Sequence, residues 1–496
     1  MILGNLCLET MRLEDVTKLI QPILVRGSVA CDIEGIAYDS RQVRANYLFV
    51  AVKGEQVNGE DYIDDAIRRG AIAVVSETDA WHKRNVAHIH VANARLALAE
   101  ISSAYYGHPS QRLELFGITG TNGKTTTSFM VKAILEASGR GTGLIGTVRY
   151  EIGSRIIPAT RTTPESTDVQ FMFDQMLRNG AESAVMEVSS HALDQKRVWG
   201  VAFDVGIFTN LTHDHLDYHG TMENYFNAKS QLFRNLGQLG KAATAVVNMD
   251  DPWGMQITQI NGLAARMLTY GEHPSADVRA VNIEIEPDGT TFDAVTPWGT
   301  TTVRLNLPGR HNVSNALAAI AATGVRGIGL EVMVRGLAGM EQVPGRMQLF
   351  RGKSGVHVYV DYAHTGDALA RSLATVREFT RGKITVVFGC GGNRDKAKRP
   401  DMGAIASQYA DHVVLTNDNP RKENPLEIIA QIEAGFHRGI SYEIQPDREL
   451  AIAAAITRAR PGDTVLVAGK GHENYQEFAS AVTPFDDAHM VRKYLL

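Results

Sequence analysis

The chain has 496 residues and a formal net charge of −5 at pH 7, with the apolar and charged fractions of an ordinary globular protein. Its length exceeds that of a single hydrophobic core, so several domains are expected. The slight acidity argues against a general attraction to nucleic acid or anionic membranes. The three cysteines have no paired spacing, which predicts a reducing compartment and no zinc site. No apolar run of about 18 residues occurs, so no membrane-spanning helix is expected. We therefore expect a cytoplasmic protein that binds no nucleic acid and does not insert into membranes.

Residues 1–92 mix strand-like runs with turn signals, which predicts a small α/β domain. The strand-like runs are Gly35–Arg41, Tyr47–Val52 and Ala71–Val75, with a helical pattern at Tyr62–Arg69. The turn around Ser40 can be a polar-ligand site or a solvated turn, and the residues alone favour the solvated turn. A helical pattern from Ala94 to Tyr106 leads into the next region, so the boundary is placed before it.

A glycine-rich turn then joins an apolar strand run to a helical pattern. It consists of Gly120, Thr121, Asn122, Gly123, Lys124, Thr125 and Thr126. Such a turn points backbone N–H groups at one spot, Lys124 can reach terminal phosphates, and the hydroxyl of Thr125 or Thr126 can hold magnesium. The spacing departs from the usual P-loop, because Ile118 stands where its first glycine is expected and Gly120 is the usable glycine. A plain glycine turn would leave the lysine and threonines unexplained, so we predict a nucleoside triphosphate site.

Two apolar runs after this turn end in polar residues. Ser183–Glu187 ends in a carboxylate, and an acidic residue at the end of a strand beside a P-loop strand is placed to hold magnesium. Asp204–Asn210 leads into Leu211–His219, which contains three histidines and two aspartates. This concentration favours a second cation site or phosphate contacts over ordinary surface histidines.

From Met267 to Leu307 the apolar period changes to two around two Pro-X-Gly turns, which predicts antiparallel hairpins inserted in or appended to the parallel sheet. Val343–Arg346 is typical of a linker. We therefore assign residues 93–343 to a central domain and 344–496 to a third domain.

The third region alternates strands and helices again, and four of its strands are followed by polar, glycine-bearing loops. These are Asp361-Tyr-Ala-His364, Gly391-Gly-Asn-Arg394-Asp-Lys, Asp418-Asn-Pro-Arg421 and Gly469-Lys-Gly-His-Glu473. Ligands of open parallel sheets bind at the edge where such loops lie. The pattern predicts a second small-molecule site.

Six motifs in combination resemble the Mur ligases of peptidoglycan precursor synthesis, over essentially the whole chain. They are Gly120–Thr126, Glu187-Val-Ser-Ser-His191, Asn210-Leu-Thr-His-Asp-His215, Gly309-Arg-His-Asn312, Asp361–His364 and Gly469–Glu473. The glycine turn alone would also fit folylpolyglutamate synthase. The resemblance implies an α/β fold of three domains: an N-terminal domain for a UDP-linked substrate, a central P-loop ATPase with a parallel sheet and an antiparallel addition, and a C-terminal Rossmann-like domain for the amino acid.

The resemblance also implies the reaction, an ADP-forming ligation of an acid and an amino acid that uses ATP and magnesium. Asp418–Arg421 resembles the signature of the members that add meso-2,6-diaminopimelate to UDP-N-acetylmuramoyl-L-alanyl-D-glutamate. The guanidinium of Arg421 can grip the distal carboxylate that L-lysine lacks, although it can also merely cap the turn after Pro420. The alternatives are a lysine-adding ligase and a catalytically silent scaffold. Arg421 argues against the first, and the presence of Lys124, Glu187 and Lys229 against the second. A monomer is expected.

The family pattern implies a role for each matching residue. The UDP moiety would contact Tyr38, Ser40, Glu55, Gln56 and Val57, although Glu55 and Asn58 depart from the common histidine and aspartate. The muramoyl dipeptide would contact Thr162, Thr163, Ser189, Gln195 and Arg197. The adenine, phosphate and ribose groups would contact Asn312, Arg346 and Asp361. The amino acid would contact Arg394, Asp418, Asn419, Pro420, Arg421, Gly469 and Glu473.

The resemblance implies two cation sites, which would be held by Thr125, Glu187, His215 and Lys229. Lys229 would be converted to a carbamate by carbon dioxide, so that an anion replaces the ammonium beside magnesium. On the residues alone, an unmodified lysine on a solvated helix face is favoured. Gly366 stands where the family usually has proline, a change that we expect to be neutral.

Overall fold

The computed structural model of the chain describes residues 10–54, 57–79, 86–340, 342–352 and 355–495. Within these residues, three sheets of five, eleven and six strands dominate the fold. The predicted α/β fold is confirmed. Glu55 and Gln56, two of the residues predicted to contact the UDP group, lie outside the described residues.

The first region folds around the five-stranded sheet. Its strands are Met11–Arg12 (β1), Leu24–Arg26 (β2), Asp32–Ile33 (β3), Gly35–Ala37 (β4), Tyr47–Val50 (β5), Ala71–Ser76 (β6) and Ala87–His90 (β7). Its helices are Leu13–Ile20 (α1), Ile63–Arg68 (α2) and Ala94–Tyr105 (α3). The sheet has the order β2-β7-β6-β5-β4 and is parallel except between β2 and β7, while β1 and β3 form a separate pair.

Helix α3 connects the first region to the rest of the chain. Its N-cap is Asn93, whose side chain accepts a hydrogen bond from the N–H group of Leu96 at 2.8 Å. Its buried residues Leu98 and Ile101 belong to the core of the first region. Helix α3 therefore shares a core with the first sheet, although it follows the predicted boundary at residue 92. The position of this boundary remains a prediction.

The central region contains the eleven-stranded sheet. Its strands are Glu114–Thr119 (β8), Thr142–Ile145 (β9), Arg149–Ile152 (β10), Arg155–Pro158 (β11), Ser183–Glu187 (β12), Val205–Phe208 (β13), Thr244–Asn248 (β14), Arg266–Gly271 (β15), Val278–Glu286 (β16), Gly289–Thr296 (β17) and Gly299–Leu305 (β18). Its helices are Pro109–Arg112 (α4), Lys124–Ala137 (α5), Ser166–Arg178 (α6), Ser190–Asp194 (α7), Leu216–His219 (α8), Met222–Asn235 (α9), Pro252–Thr258 (α10), Arg310–Gly324 (α11) and Leu330–Ala338 (α12).

Strand β8 lies between β12 and β13, and all three are parallel. They are almost entirely buried, as expected for apolar strands covered by helices on both faces. The register pairs Glu187 with Ile118 and Phe208 with Thr119. The three strands therefore end side by side, and the segments that follow them meet at one edge of the sheet.

The antiparallel hairpins predicted from the change of apolar period are confirmed. Strands β16, β17 and β18 form an antiparallel ladder. They extend the parallel sheet directly, because β16 is a parallel neighbour of β15. The addition is thus appended to the central sheet.

The third region contains the six-stranded sheet. Its strands are Gln348–Arg351 (β19), His357–Asp361 (β20), Ile384–Phe388 (β21), His412–Leu415 (β22), Ser441–Ile444 (β23), Thr464–Ala468 (β24), Tyr475–Glu477 (β25) and Val482–Pro484 (β26). Its helices are Gly366–Phe379 (α13), Lys398–Tyr409 (α14), Pro425–Glu433 (α15), Arg448–Arg458 (α16) and Asp487–Leu495 (α17). The order is β19-β20-β24-β21-β22-β23, with only β19 antiparallel, and β25 pairs with β26.

Polar contacts join the third region to the central region. The Tyr359 hydroxyl donates to the carbonyl oxygen of Pro287 at 2.6 Å, and Arg351 pairs with Asp288 at 2.7 Å. These contacts place the turn between β16 and β17 against the third sheet. Among the described helices, none is long and apolar enough to cross a membrane.

Candidate active site

A cavity of about 260 Å³ lies between the carboxyl edge of the central sheet and the third region. The predicted residues on its lining are Thr121, Asn122, Gly123, Lys124, Thr125, Thr126, Thr162, Glu187, His215, Asn312, Arg346 and Asp361. Asp214, His311 and Tyr362, which lie inside the quoted motifs but had no predicted role, also line the cavity, as do Thr147, Asn315 and Arg371 outside the motifs. The structure thus brings the glycine turn together with Asn312, Arg346 and Asp361, the other residues that were predicted to contact ATP.

The turn between β8 and α5 has the backbone of a phosphate site. Gly120 and Gly123 have φ values of 149° and 86°, which favour glycine. A Cβ atom at Gly120 would lie 1.9 Å from the hydroxyl oxygen of Thr209, and one at Gly123 would lie 2.4 Å from the amide oxygen of Asn315. Both positions therefore require glycine. The N-terminus of α5, where the first N–H groups lack partners within the helix, borders the cavity.

Lys124 is the first residue of α5. Its ammonium group donates to the carbonyl oxygens of Gly120 at 2.9 Å and Thr121 at 2.8 Å. Burial lowers the pKa of this amine, while the carboxylates of Glu187 and Asp214 oppose the shift. The turn thus presents a positive charge on the cavity lining, as a phosphate site requires.

Glu187, the last residue of β12, is fully buried. Its Oε2 atom accepts hydrogen bonds from the hydroxyls of Thr125 at 3.0 Å and Thr147 at 2.9 Å, and its Oε1 atom accepts one from the N–H group of Thr147 at 2.8 Å. A carboxylate and a hydroxyl oxygen in direct contact are the hard donors that magnesium prefers. The geometry therefore fits the predicted metal role of Thr125 and Glu187.

Lys229 lies on α9 and is 1% exposed. Its ammonium group donates to the carbonyl oxygen of Gly120 at 2.7 Å and lies 4.6 Å from the ring centre of Tyr225. Burial lowers the pKa of the amine well below its ordinary value, and the charge of Lys124 adds to this shift. The solvated helix face that the residues alone favoured is thus wrong, because the helix presents this lysine to the underside of the glycine turn.

The segment Leu211–His219 does not form a metal site by itself. Within the described ranges, no group of three or more His, Cys, Asp or Glu side chains could hold a metal ion. Instead, the rings of His215 and His219 lie 5.0 and 5.5 Å from that of His191, and His219 contacts the Ser190 hydroxyl at 2.9 Å. Burial lowers the pKa of His219 to about 4. Of these rings, that of His215 lines the cavity and remains a candidate ligand.

Asn312 lines the cavity from the central region and Arg346 lines it from the third region. Asn312 is 3% exposed, and its amide donates to the carbonyl oxygen of Pro308 at 2.8 Å. The Arg346 guanidinium lies 4.5 Å from the ring centre of Tyr362 and donates to the Thr125 hydroxyl at 3.2 Å. Its buried Nε atom has no hydrogen-bond partner among the described residues. A buried donor of this kind fits an anionic ligand such as a phosphate.

Asp361 ends strand β20 and supports the linker into the third region. Its carboxylate accepts hydrogen bonds from the N–H groups of Met347 at 2.7 Å and Ala363 at 3.1 Å, and from the Ser372 hydroxyl at 3.0 Å. Burial raises the pKa of this carboxyl group, while the charge of Arg346 opposes the shift. Asp361 is therefore a structural anchor of the linker as well as a candidate ribose contact.

The residues predicted to contact the muramoyl dipeptide come together at the end of β12. They are Thr162, Thr163, Ser189, Gln195 and Arg197. The Thr163 hydroxyl donates to the carbonyl oxygen of Glu187 at 2.8 Å and accepts a hydrogen bond from the N–H group of Ser189 at 3.0 Å. The Arg197 guanidinium donates to the carbonyl oxygen of Thr163 at 3.0 Å and to the amide oxygen of Gln195 at 2.6 Å. The dipeptide candidates thus adjoin the candidate metal ligand.

Glu165, which no motif singled out, contacts three guanidinium groups. They belong to Arg161 at 2.8 Å, Arg197 at 3.1 Å and Arg95 at 3.4 Å. Arg95 comes from α3 and also donates to the carbonyl oxygen of Lys53 at 2.9 Å. The carboxylate therefore links the loop beside residues 55–57 to the dipeptide candidates.

The described residues that were predicted to contact the UDP group have different surroundings. The Tyr38 hydroxyl donates to Asp168 of α6 at 2.6 Å, and burial raises the pKa of both groups. The Ser40 hydroxyl donates to Asp65 at 2.9 Å within the first region. The side chain of Val57 is mostly exposed. Tyr38 thus joins the first region to the central one, a contact that the sequence pattern did not predict.

The residues predicted to bind the amino acid lie on the loops that follow β21, β22 and β24. They are Arg394, Asp418, Asn419, Pro420, Arg421, Gly469 and Glu473. A Cβ atom at Gly469, where φ is 110°, would lie 2.9 Å from the Asp418 carboxylate. The Asn419 amide donates to Glu473 at 2.9 Å. The loop after β21 joins them, because the N–H group of Gly392 donates to the carbonyl oxygen of Asn419 at 2.9 Å, although the side chain of Arg394 on this loop is exposed.

Lys470 was not identified from the sequence, although it lies inside a quoted motif. It is fully buried, and its ammonium group donates to Asn419 at 3.0 Å and Glu473 at 2.9 Å. A lysine between two glycines directly after a buried strand was the available signal. Glu477, which contacts Arg421 at 2.9 Å, carried no such signal.

Models of known protein families match three parts of the chain. The model of the Mur ligase family catalytic domain matches residues 32–106, the Mur ligase middle domain matches residues 118–323, and the glutamate ligase domain of Mur ligases matches residues 345–471. The middle-domain match includes the glycine turn, Glu187, His215 and Lys229.

The chain is 43% identical to the UDP-N-acetylmuramoyl-L-alanyl-D-glutamate–2,6-diaminopimelate ligase of Geobacter metallireducens, over 97% of this chain and 98% of that protein. It is 47% identical to the ligase of the same name from Bacillus licheniformis, over 94% and 95%. A solved structure of a ligase with this name has a TM-score of 0.71 at 32% identity, covering 98% of this chain and 99% of that one. The MurF ligase of Thermotoga maritima in complex with ADP, 21% identical with a TM-score of 0.63 over 87% and 93%, shares the fold. The chain belongs to the Mur ligase family.

Proposed function

We propose that the protein is an ATP-dependent ligase that joins meso-2,6-diaminopimelate to UDP-N-acetylmuramoyl-L-alanyl-D-glutamate and releases ADP and phosphate. The names of the relatives support this proposal. The observation that carries it is the contact between Glu187 and Thr125 in a cavity that also holds Lys124, with Thr163 bonded to the backbone of Glu187. This arrangement supports a phosphate site next to the site of the dipeptide, whose carboxylate accepts the phosphoryl group.

The chemistry requires activation of a carboxylate. The side-chain carboxylate oxygen of D-glutamate attacks the γ-phosphorus of ATP, and the bond to the bridging oxygen breaks, which gives an acyl phosphate and ADP. The unprotonated amine of the amino acid then attacks the acyl carbon, phosphate leaves, and the nitrogen loses a proton. Two anions must meet in the first step, so the role of the protein is charge neutralisation and alignment. Lys124 and Arg346 are the cations of the cavity that we assign to this role.

The residues present fit magnesium. Thr125 and Glu187 offer a hydroxyl and a carboxylate oxygen 3.0 Å apart, and magnesium usually takes one or two carboxylates together with phosphate oxygens and water. When bound, magnesium neutralises phosphate charge and orients the triphosphate. We assign the second cation to His215 and Lys229.

The burial of Lys229 supports its conversion to a carbamate. Carbon dioxide reacts with the neutral amine, and the low pKa of this amine favours the neutral form. The reaction forms a bond between Nζ and carbon and releases a proton, which leaves an anionic oxygen ligand. A buried ammonium beside Lys124 would lack a carboxylate partner within hydrogen-bonding distance among the described residues, whereas a carbamate could share a cation with His215.

Assays of ADP release would test the proposed function. Purified protein receives ATP, magnesium and the UDP-linked dipeptide, with meso-diaminopimelate, with L-lysine or with no amino acid. We expect ADP and a ligated product with diaminopimelate, much slower release of both with L-lysine, and none without an amino acid. Equal use of lysine would identify the lysine-adding alternative, and ADP release under none of these conditions would favour the silent scaffold. The domain boundaries, the monomeric state and the cytoplasmic location remain predictions.

A further inference from the structure

Glu477 contacts the predicted amino-acid site from strand β25, outside every motif quoted above. Its carboxylate accepts a hydrogen bond from Nε of Arg421 at 2.9 Å, and Nη1 of the same guanidinium donates to the carbonyl oxygen of Gly392 at 2.9 Å. The side chain of Arg421 is 20% exposed and that of Glu477 is 38% exposed. Two of the three guanidinium nitrogens are thus held by the protein, and Nη2 has no hydrogen bond to the part of the chain that the structure describes, which leaves this end for a ligand.

Strand β25 also holds the backbone of the loop that carries Arg421. The N–H group of Arg421 donates to the carbonyl oxygen of Glu477 at 2.9 Å, and that of Glu477 donates to the Asn419 side chain at 3.0 Å. The amide of Gln476 donates to the carbonyl oxygen of Asp418 at 3.1 Å. Arg421 has a φ of 52°, an unfavourable value for a side-chain-bearing residue that persists only where surrounding contacts enforce it. The strand provides these contacts.

We propose that Glu477 is a positioning residue for amino-acid selection, which holds the Arg421 guanidinium in the orientation that receives the distal carboxylate of the incoming diamino acid. This inference rests on the proposed function, because the distal carboxylate is the group that distinguishes diaminopimelate from lysine. An arginine side chain has four rotatable bonds, and a side chain ordered before binding loses less conformational entropy when the ligand arrives.

The ion pair also limits the discrimination against lysine. A site whose polar partner is left unpaired by the wrong substrate can reject it by roughly 10⁴-fold. Arg421 already has Glu477 and the carbonyl oxygen of Gly392 as partners, so lysine does not leave it as an unpaired buried cation. We therefore expect a preference nearer to the range of about 10- to 100-fold that one charged hydrogen bond contributes.

A double-mutant cycle between Glu477 and Arg421 tests this role. Glu477→Ala is expected to raise the KM for diaminopimelate about 10-fold, the lower end of the effect of a charged hydrogen bond because the pair is partly exposed, with little change in kcat. Glu477→Gln keeps an oxygen acceptor for Nε and should rescue most of this loss. In the Arg421→Ala background, Glu477→Ala should cause no further rise in KM.

The matched control is Glu449→Ala, which removes a partly exposed carboxylate that pairs with Lys493 in the same region at 2.6 Å. It should leave the KM for diaminopimelate unchanged, and ADP binding should be equal in all variants. Additive effects of the two alanine substitutions, or a KM for Glu477→Ala within about twofold of the wild type, would overturn the positioning role while the proposed function stands. A wild type that does not use diaminopimelate would overturn the function and this inference together.

Discussion

The phosphate turn and the amino-acid loops both lie at the carboxyl ends of parallel strands, but they are built differently. In the turn, Gly120, Gly123 and Lys124 lie within five residues, and the backbone and the helix N-terminus set the geometry. In the amino-acid loops, side chains from separate loops hold one another, with Lys470 and Glu477 as the connecting groups. Motifs in the sequence located both sites, but they did not reveal the side chains that connect separate loops, such as Lys470 and Glu477.

The largest expected effect breaks the phosphate turn. Lys124→Ala should lower kcat by roughly 100- to 1,000-fold, which is about 2.7–4 kcal/mol, because one preorganised charge is lost where negative charge develops. Binding of the UDP-linked dipeptide, measured by calorimetry, should be nearly unchanged. Lys132→Ala is the matched control, because Lys132 lies on the same helix and pairs with Glu136 and Glu151 away from the cavity. Near-normal turnover of Lys124→Ala would remove the turn from the mechanism.

The next effect concerns the lysine beneath the turn. Lys229→Ala should lower kcat by about 100-fold, because one electrostatic contact in the site is lost. Added short-chain carboxylates should restore part of the activity by replacing the carbamate. Lys229→Arg should remain inactive, since a guanidinium forms no carbamate. Turnover measured with and without acetate would decide. An active arginine variant would mean that this residue acts as a cation or not at all.

A smaller effect is expected in the amino-acid loops. Arg421→Ala should raise the KM for diaminopimelate by about 10- to 100-fold and abolish the preference over lysine, because a charged hydrogen bond to the distal carboxylate is lost. Competition between the two amino acids measures this directly. Arg377→Ala, which removes a surface arginine paired with Asp411 in the same region, should keep the preference. Unchanged selectivity of Arg421→Ala would reduce this arginine to a cap of its turn.

The smallest expected effect is on the pH dependence of folding stability, and it comes from an ion pair in the third region. The buried guanidinium of Arg399 lowers the pKa of Glu423 to about 2, below its ordinary value of 4.5. A lowered pKa stabilises the folded state above pH 4.5, and this contribution is lost as the pH falls from 4.5 towards 2. The difference in unfolding temperature between the wild type and Glu423→Gln should therefore narrow over this window, while ADP binding at pH 7 is the same. A difference that stays constant would contradict the assignment.

Sequence patterns located most of the secondary structure near the candidate site. Strand Ser183–Glu187 has the predicted bounds, because the apolar character and the length of a strand are local properties. The environment of Lys229 was mispredicted, because the pattern of a helix does not reveal which neighbour covers its face. In the histidine-rich segment, the rings of His215 and His219 lie against that of His191 and His215 also lines the cavity, so the cation site predicted there stays a prediction.

The sequence by itself determined the strand Glu114–Thr119, the glycine turn and the helix Lys124–Ala137, because positive φ values and apolar period depend on residues that are neighbours in the chain. Only the tertiary structure decided that Lys229 lies beneath the turn and that Glu477 holds Arg421. The second pair is separated by 56 positions in the chain, and a hydrogen bond forms only where folding brings donor and acceptor to about 3 Å. Which charged groups meet at that distance depends on the packing of whole strands and loops, so no local pattern encodes it.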